Sequence, residues 1–315
     1  MSANPPMIEV NSLCKSFGNR KALNNVSFHV HSGEILCFLG PNGAGKSTTI
    51  NILSTTLRGD QGEIRFRGEP FDRLTRQYKR ELGIVPQDVA VYEDISAEEN
   101  VRFFASLYGL RGKELSQRTD EALEIVGLSD RRKDKPKTFS GGMKRRLNMA
   151  CAIAHRPPLI IMDEPTAGID PQSRKHILES ICRLRDEGAT IIYTTHYMEE
   201  VEEISTRILI IDHGEVIASG TKEELKERFA DEKRFKVEVE ETDEMPKLHL
   251  FRIDGVKRVD VNGNVIRIST LKGIDNLDQI IAYLSSSGLK IVNLTSFSPS
   301  LEMVFLNLTG RTLRN

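Results

Sequence analysis

One segment constrains the fold of this chain more than any other, the run GPNGAGKST at residues 40–48. It fills each fixed position of the phosphate-binding loop pattern G-x-x-x-x-G-K-[ST], which lies between a strand and a helix. Residues 35–39, Ile-Leu-Cys-Phe-Leu, are an apolar run of buried-strand length, and residues 48–53 resume a helical apolar spacing. A glycine-rich turn with an incidental lysine is the alternative interpretation, and the strand before the loop weighs against it.

The residue types in this loop predict nucleotide binding. Glycine has no Cβ, so the backbone N–H groups of the loop can approach phosphate oxygens at the N-terminus of the following helix. Lys46 is expected to reach the β- and γ-phosphates, and the Ser47 hydroxyl to ligate Mg²⁺. The loop residues predicted to bind the nucleotide are Gly40, Pro41, Asn42, Gly43, Ala44, Gly45, Lys46, Ser47 and Thr48.

Composition limits the classes of partner. The 315 residues allow two ordinary domains, and 44 Lys plus Arg against 45 Asp plus Glu give no general attraction to nucleic acid or to an anionic membrane surface. The charge-dense stretch at residues 131–137 lacks interleaved aromatics and is interpreted as a solvated connection, so no nucleic-acid partner is expected. The four cysteines show no C-x-x-C spacing. With no leader-like N-terminus and no run of about eighteen apolar residues, the chain is predicted to be cytoplasmic.

The order of strand-like and helical patterns predicts two domains. Residues 8–220 alternate short strand-like runs with helical patterns, which is typical of an α/β domain with a mainly parallel sheet. The runs at 59–68 and 212–220 are expected at antiparallel edges, and residues 97–156 are mostly helical. After a charged helix, an alternating run, a hairpin pattern and a further helix predict a small α+β domain. The predicted divisions are 1–220 with a helical subdomain at about 88–156, a helical linker at 221–232, and an accessory domain at 233–315.

A second informative run, PLIIMDEPTAGID at residues 158–170, leads from a buried strand directly into two carboxylates. An acid at such a strand end can hold Mg²⁺ beside a phosphate loop, and its neighbour can polarise an attacking water. We assign Asp163 to the metal and Glu164 to the role of general base. A charged turn at the strand end is the weaker alternative, because the phosphate loop is also present.

The run FSGGMKRRL at residues 139–147 contains a predicted helix start. Ser140 is suited to cap a helix, and Gly141 and Gly142 expose N–H groups at its beginning. Taken alone, this pattern fits a simple turn before a helix equally well. Its position between the phosphate loop and the carboxylate strand is what makes it informative.

Six motifs in order resemble the ATP-binding subunit of an ABC transporter: GPNGAGKST, Gln87 in IVPQD, SGG at 140–142, LIIMDEP, AGID, and His196 in TTHYMEE. The resemblance covers about residues 7–220. It implies the P-loop NTPase fold of the ABC ATPase domain, with a mixed, mainly parallel sheet, a helical subdomain and an antiparallel edge, joined here to the small C-terminal α+β domain. It also implies binding and hydrolysis of ATP with Mg²⁺.

The resemblance assigns roles residue by residue. Phe17 matches the aromatic that stacks on adenine, with Phe in place of the commoner Tyr. Gln87 matches the glutamine that contacts Mg²⁺ and the attacking water and that links to the membrane partner. Asp170 matches the aspartate that communicates across a dimer, and His196 the histidine that contacts the γ-phosphate. The family signature LSGGQ is altered here, since Phe139 and Met143 occupy its outer positions.

The pairing implied by the resemblance is a homodimer. The signature residues Ser140, Gly141, Gly142 and Met143 of one subunit would cover the ATP held by the loop of the other. A separately encoded polytopic membrane permease would dock near Gln87, which would place the chain on the inner face of the cell membrane as a peripheral subunit.

The versions SGGMKRRL and THYMEEVE, with SPSLEMVFLNLTG at residues 298–310, are similar to ATPases of daunorubicin-resistance type drug and antibiotic exporters. Sodium exporters and lipid or polysaccharide exporters carry similar subunits, and import is a further alternative. Two other classes remain open: a soluble ABC ATPase acting on ribosomes or chromosomes, and a non-hydrolysing regulatory scaffold. The intact Glu164 and His196 favour hydrolysis.

Overall fold

The computed structural model describes residues 5–229, 232–240, 249–297 and 300–310. These residues form two compact units, one ending at Lys222 and the other beginning at Glu223. The domain limits derived above from the sequence, including the linker at 221–232 and the helical subdomain at 88–156, stay predictions.

The first unit contains ten strands and seven helices among its described residues. The strands are β1 (Ile8–Phe17), β2 (Arg20–Val30), β3 (Ile35–Leu39), β4 (Gln61–Phe66), β5 (Glu69–Pro70), β6 (Leu82–Val85), β7 (Leu159–Asp163), β8 (Thr190–Thr195), β9 (Arg207–Asp212) and β10 (Glu215–Gly220). The helices are α1 (Lys46–Leu53), α2 (Phe71–Arg80), α3 (Ala97–Leu107), α4 (Gly112–Ile125), α5 (Gly141–Ile153), α6 (Pro171–Asp186) and α7 (Met198–Ile204).

The central sheet has six strands in the order β10-β9-β3-β8-β7-β6. All neighbouring strands are parallel except β10, which runs antiparallel to β9. Every residue of β3 and β8 is buried, which explains their continuous apolar character, since parallel strands covered on both faces need no polar side. The sheet confirms the predicted α/β class with an antiparallel edge. Its parallel strands bring their carboxyl ends to one edge, where ligand-binding residues of such sheets collect.

A second, antiparallel sheet of four strands has the order β2-β1-β4-β5. Its buried side chains share one apolar core with the central sheet. Phe28 of β2 and Phe38 of β3 meet edge to face across this core, with ring centroids 5.1 Å apart. The β1–β2 hairpin is thereby fixed beside the strand that leads into the phosphate loop.

Helices α3, α4 and α5 make up most of the segment between β6 and β7. Helix α3 begins with a capping box, in which the side chains of Ser96 and Glu99 each accept a hydrogen bond from the other's backbone N–H. Ser140 caps α5, as predicted, because its Oγ accepts from the N–H of Met143 at 3.2 Å.

The second unit contains α8 (Lys222–Phe229), β11 (Glu232–Val239), β12 (Val256–Asn262), β13 (Val265–Leu271), α9 (Leu277–Ser286), β14 (Ile291–Phe297) and α10 (Leu301–Thr309). Its four strands form an antiparallel sheet in the order β12-β13-β11-β14. Alternate side chains of β11 and β13 point into a core with Ile280 and Leu284 of α9. The unit is an α+β fold, as predicted.

Two findings concern membranes and thiols. No helix in the described part of the chain combines the length and the apolar composition that crossing a bilayer requires. Cys14, Cys37, Cys151 and Cys182 are free thiols, of which Cys37 and Cys151 are buried.

Candidate functional site: a nucleotide-binding edge of the central sheet

The phosphate loop lies between β3 and α1, and α1 begins at Lys46. A Cβ on Gly40 would lie 2.2 Å from the carbonyl oxygen of Ile211, so no larger residue fits there. Gly45 has φ +109°, and a Cβ on it would lie 2.8 Å from the carbonyl oxygen of Ala22. Both glycines are therefore required by close backbone approach. The N–H groups of the first turn of α1 point along the helix axis towards the loop, as a phosphate site needs.

The turn between β9 and β10 holds the loop in place. The N–H of Gly214 donates to the carbonyl oxygen of Ala44 at 2.9 Å, and the N–H of Asn24 donates to the carbonyl oxygen of Gly214 at 2.8 Å. These bonds connect the loop to β2 through a third segment. The loop backbone is consequently supported before any ligand binds, which reduces the ordering cost of binding.

Lys46 is buried, with 5% of its surface exposed. Its Nζ donates to the carbonyl oxygens of Gly40 at 2.7 Å and Pro41 at 3.2 Å, and so spans the loop. Burial lowers the pKa of Lys46, while the charges of Glu164 and Asp163 act in the opposite direction. The ammonium group therefore spans the loop within electrostatic reach of the two carboxylates.

Asp163, the last residue of β7, is positioned by the neighbouring strand. Its Oδ1 accepts a hydrogen bond from Thr194 Oγ1 at 2.5 Å, and the two residues are register partners in β7 and β8. The same hydroxyl accepts from the N–H of Glu164 at 3.0 Å. Thr194 thus fixes both acids; it lies in the motif TTHYMEE, but the sequence assigned it no role.

Glu164 has a left-handed backbone, with φ +45°. A non-glycine residue in this region is uncommon, and such residues concentrate at functional sites. Its N–H donates to the carbonyl oxygen of Thr194 at 3.2 Å. Its Oε1 lies 3.2 Å from Nδ1 of His196, in the segment after β8. The structure therefore brings together the predicted general base and the histidine that the resemblance assigns to the γ-phosphate.

Phe17 ends β1 and is 52% exposed. Its register partner on β2 is Arg20, whose Nη2 lies 3.2 Å from the position a Cβ on Gly43 would take. The tip of the β1–β2 hairpin thus reaches the phosphate loop. Arg20 is a further candidate for contact with the nucleotide that sequence reasoning missed, because nothing in the sequence shows that a residue 23 positions before Gly43 lies beside it.

Gln87 follows β6 by two residues and is exposed. The guanidinium of Arg145, on α5, donates to its carbonyl oxygen and also, at 3.3 Å, to that of Ala167. Arg145 therefore joins the segment around Gln87 to the segment that follows Glu164. The sequence analysis assigned no role to this arginine.

Residues 140–143 lie against the start of α6. A Cβ on Gly142 would meet Ser173 Oγ at 2.0 Å, whereas a Cβ on Gly141 would meet nothing within 4 Å. Asp170 caps α6 by accepting from the N–H of Ser173 at 2.9 Å, and these bonds hold the pKa of Asp170 below its usual value. The predicted signature segment and the predicted dimer residue are neighbours.

The donor set suits magnesium. The described residues contain no group of three or more His, Cys, Asp and Glu side chains that could hold a metal ion without further ligands. Mg²⁺ usually takes one or two carboxylates together with phosphate oxygens and water. Asp163 beside Lys46, with the exposed Ser47 hydroxyl at the end of the loop, fits that mode of binding.

The predicted residues form two groups. The first contains the loop, Asp163, Glu164 and His196, at the carboxyl edge of the sheet. The second contains residues 140–143 with Asp170. Within the described ranges, no hydrogen bond or ion pair joins residues 140–143 to the loop at 40–48. The first group is accordingly the one that a single chain assembles.

Comparison with known proteins agrees with this geometry. The ABC transporter family profile matches residues 23–167, and the profile of the C-terminal domain of DrrA1-3-like ATP-binding proteins matches residues 220–309. The linearmycin resistance ATP-binding protein LnrL of Bacillus subtilis (strain 168) is 42% identical over 98% of this chain and 100% of its own length. The daunorubicin resistance ATP-binding protein DrrA3 of Streptomyces coeruleorubidus is 33% identical over 96% of both chains.

A solved structure shares the fold of the first unit. The dimeric post-hydrolysis state of the ATP-binding cassette MJ0796, bound to ADP and Pi, is 28% identical and covers 68% of this chain and 98% of that chain, with a TM-score of 0.61. The phosphate loop, the two carboxylates and both family profiles thus lead to one conclusion. The chain belongs to the ABC transporter ATP-binding proteins and is an ABC ATPase of the subfamily that includes LnrL and DrrA3.

Proposed function

We propose that this chain hydrolyses ATP to drive the export of an antibiotic or other lipophilic drug through a separate membrane subunit. The observation that supports hydrolysis is the 3.2 Å contact between Glu164 Oε1 and His196 Nδ1, at the sheet edge that carries Lys46. The direction and class of transport are supported by the resistance proteins to which the whole chain is similar and by the DrrA-like match in its second unit.

The residues of the first group, together with Phe17 and Gln87, have roles that their positions permit. The exposed face of Phe17 stacks on adenine. The loop N–H groups and Lys46 bind the phosphates, with Lys46 exchanging its carbonyl partners for phosphate oxygens. Ser47, Asp163 and Gln87 would hold Mg²⁺, which when bound neutralises charge on the β- and γ-phosphates.

Hydrolysis requires an ordered water and stabilised phosphate charge more than covalent chemistry. Glu164 accepts a proton from the attacking water, and its left-handed backbone fixes where the carboxylate points. His196 would contact the γ-phosphate, and its Nδ1 contact with Glu164 keeps both side chains on one side of the site.

The second group of residues would act on another subunit's nucleotide. Ser140 and Gly141 are exposed at the start of α5, where the N–H groups of a helix N-terminus attract phosphate. In a homodimer enclosing two ATP molecules, with Asp170 at the subunit boundary, these N–H groups would bind the nucleotide of the other subunit. The dimeric MJ0796 structure supports this arrangement.

The membrane subunit would dock beside Gln87. Large apolar side chains are exposed close to it in the chain: Val89 is 37% exposed, Tyr92 52%, Phe103 40% and Leu107 65%. Tyr92 and Phe103 contact each other edge to face, with centroids 5.2 Å apart. The exposed pair of Tyr92 and Phe103 is suited to contact with a protein partner. The chain would then be cytoplasmic and peripheral on the inner face of the cell membrane.

The test combines purified protein with cells. Glu164→Gln should lower ATP hydrolysis by about a hundredfold or more, because it removes the general base, while ATP binding persists. Glu179→Gln, at an exposed position on α6, is the matched control and should retain the parent rate in a phosphate-release assay. A Glu164→Gln protein that hydrolyses ATP at the parent rate would refute the assignment of the base.

In a strain lacking this chain, the parent sequence should restore growth on linearmycin or daunorubicin, and Glu164→Gln should not. Equal growth of all strains on a broad panel of lipophilic drugs, with an active purified ATPase, would refute the export class and leave the ATPase standing.

A further inference from the structure

The carboxylate of Glu200, on α7, is almost completely buried, with 1% of the residue exposed. The neighbouring Glu199 is exposed. Burying a carboxylate is costly unless it is paired and hydrogen-bonded. Glu200 lies outside the group of residues to which the preceding sections give a role.

Three hydroxyl groups satisfy this carboxylate. Oε1 accepts from Thr166 Oγ1 at 2.6 Å. Oε2 accepts from Tyr193 at 2.8 Å and from Thr195 Oγ1 at 2.6 Å. Burial, and then the charge of Glu200, raise the pKa of Tyr193 well above its usual value, so this hydroxyl stays protonated and donates.

Two of these donors flank the catalytic pair. Thr166 lies two residues after Glu164, and Thr195 directly precedes His196. The Thr195 hydroxyl also accepts from the N–H of Tyr197 at 3.0 Å, so its two hydrogen bonds bracket His196. The same carboxylate therefore holds the segment after β7 and the segment after β8.

Helix α6 is the third element at this carboxylate. Nε of Arg174 lies 3.4 Å from Glu200 Oε1, as an ion pair without a well-directed hydrogen bond. The Arg174 guanidinium also lies over the Tyr197 ring, 4.3 Å from its centroid. The Tyr197 ring in turn contacts the His196 ring at 4.2 Å. These contacts extend the network to the helix that begins after Asp170.

We propose that Glu200 is a positioning residue for ATP hydrolysis, which holds Glu164 and His196 at their mutual distance through Thr166 and Thr195. The inference rests on the proposed roles of Glu164 and His196. Its hydrogen bonds reach Thr166, after β7, and Tyr193 and Thr195, at the end of β8, and not the phosphate loop, so it sets the catalytic step rather than nucleotide binding. A misplacement of about 1 Å at a catalytic group can cost about a hundredfold in rate.

A purely structural role makes a different prediction. A buried carboxylate that only stabilises the fold would, when altered, lower the melting temperature and leave kcat unchanged in the molecules that remain folded. The separation of kcat from both KM and stability is therefore decisive.

The first variant is Glu200→Gln in the full chain, which keeps the size of the side chain and removes one acceptor oxygen. We expect kcat to fall about ten- to a hundredfold, with KM for ATP and the affinity for ADP unchanged. In a His196→Ala background, Glu200→Gln should cause little further loss, because the two residues act as one unit. Full additivity of the two losses, or an unchanged kcat, would overturn the proposal.

Single-hydroxyl variants supply matched controls and leave the carboxylate in place. Thr166→Val and Thr195→Val each remove a donor that leads to a catalytic segment, and kcat should fall in both. Tyr193→Phe removes a donor to the same carboxylate from within β8, three positions before His196, and should lower stability with little change in kcat. Equal kcat in all three variants would overturn the proposal even if Glu200→Gln failed to fold.

Failure of this inference is distinguishable from failure of the proposed function. If Glu164→Gln keeps the parent rate, the assignment of the base is wrong whatever Glu200 does. If Glu164→Gln loses turnover and Glu200→Gln does not, the positioning role alone is wrong.

Discussion

The two units of this chain differ in what they bury. Among the described residues, the buried charged side chains are Lys46, Glu200 and Asp212, and all three lie in the first unit. The second unit buries only neutral polar side chains, such as Thr270 and Asn276. Burying charge is costly without compensating partners. The first unit therefore carries unfavourable desolvation energy at the place where the nucleotide chemistry occurs.

Sheet topology accounts for this difference. In the central sheet of the first unit, parallel strands deliver Lys46, Asp163 and His196 to one edge. The antiparallel strands of the second unit alternate in direction, so their ends are divided between two edges. The carboxyl ends of successive strands in such a sheet therefore do not meet at one edge. Stability and function are therefore coupled in the first unit, whereas the second unit can be optimised for packing.

The strongest effect on stability is expected at His155, in the first unit. Its ring stacks on Tyr108 at 3.5 Å and contacts the carbonyl oxygen of Leu82 at 3.2 Å. Burial lowers the pKa of His155 from 6.5 to about 4, with the Leu82 contact opposing the shift. Between these values the unfolded chain binds more protons, so stability is full above pH 6.5 and declines as the pH falls towards 4. One pKa unit is about 1.4 kcal/mol, so the loss reaches about 3 kcal/mol.

Calorimetric unfolding between pH 4 and 7.5 would measure this effect. His155→Gln should flatten the pH dependence of the first unit, and His213→Gln, at a side chain that is 72% exposed, should not. The histidine of the second unit, His249, is exposed. We therefore expect no comparable loss of stability in the second unit from histidine protonation. Identical slopes for His155→Gln and the parent would contradict the role of burial.

Buried parallel strands were the most predictable part of the fold. The apolar run at residues 35–39 coincides with β3, and the buried strand predicted before the two carboxylates coincides with β7, because such strands give continuous apolar runs with clear ends. The loop and carboxylate motifs were also placed correctly beside these strands, since their positions are defined by local sequence.

Residues that depend on distant contacts could not be predicted. Glu199 and Glu200 are neighbouring residues of the same type, yet only Glu200 is buried. Its burial depends on hydroxyl groups from two other segments of the chain. Helix α2 was not located, since it is strongly charged and its apolar Tyr78 packs on Phe66 of β4. The sequence gives no direct sign of such pairings.

Gly142 has a predicted chemical role and a packing role at the same position. The sequence assigned it a nucleotide-facing N–H, and the structure adds a close contact with Ser173. Gly142→Ala would place its Cβ 2.0 Å from Ser173 Oγ and should destabilise the first unit by about 2 kcal/mol, as overpacking does. Thermal unfolding would measure the loss.

Gly141→Ala is the matched control, because a Cβ there meets nothing within 4 Å. It should leave the melting temperature unchanged or slightly raised. Combining Gly142→Ala with Ser173→Gly should restore most of the lost stability by removing the clashing side chain. Equal melting of Gly141→Ala and Gly142→Ala would show that α5 and α6 separate freely.

The weakest effect is expected from one conservative substitution made in both units. Ile161 of β7 and Ile268 of β13 are both buried, with 0% and 1% exposure. Ile→Val at either site should cost about 1 kcal/mol of stability. Ile161 lies two positions before Asp163, so Ile161→Val should also lower ATP turnover about two- to fivefold through small shifts of the two acids. Ile268→Val should leave turnover unchanged. Equal turnover in the two variants would mean that the site tolerates movement of its own strand. Stability and function would then be uncoupled in the first unit as well as in the second.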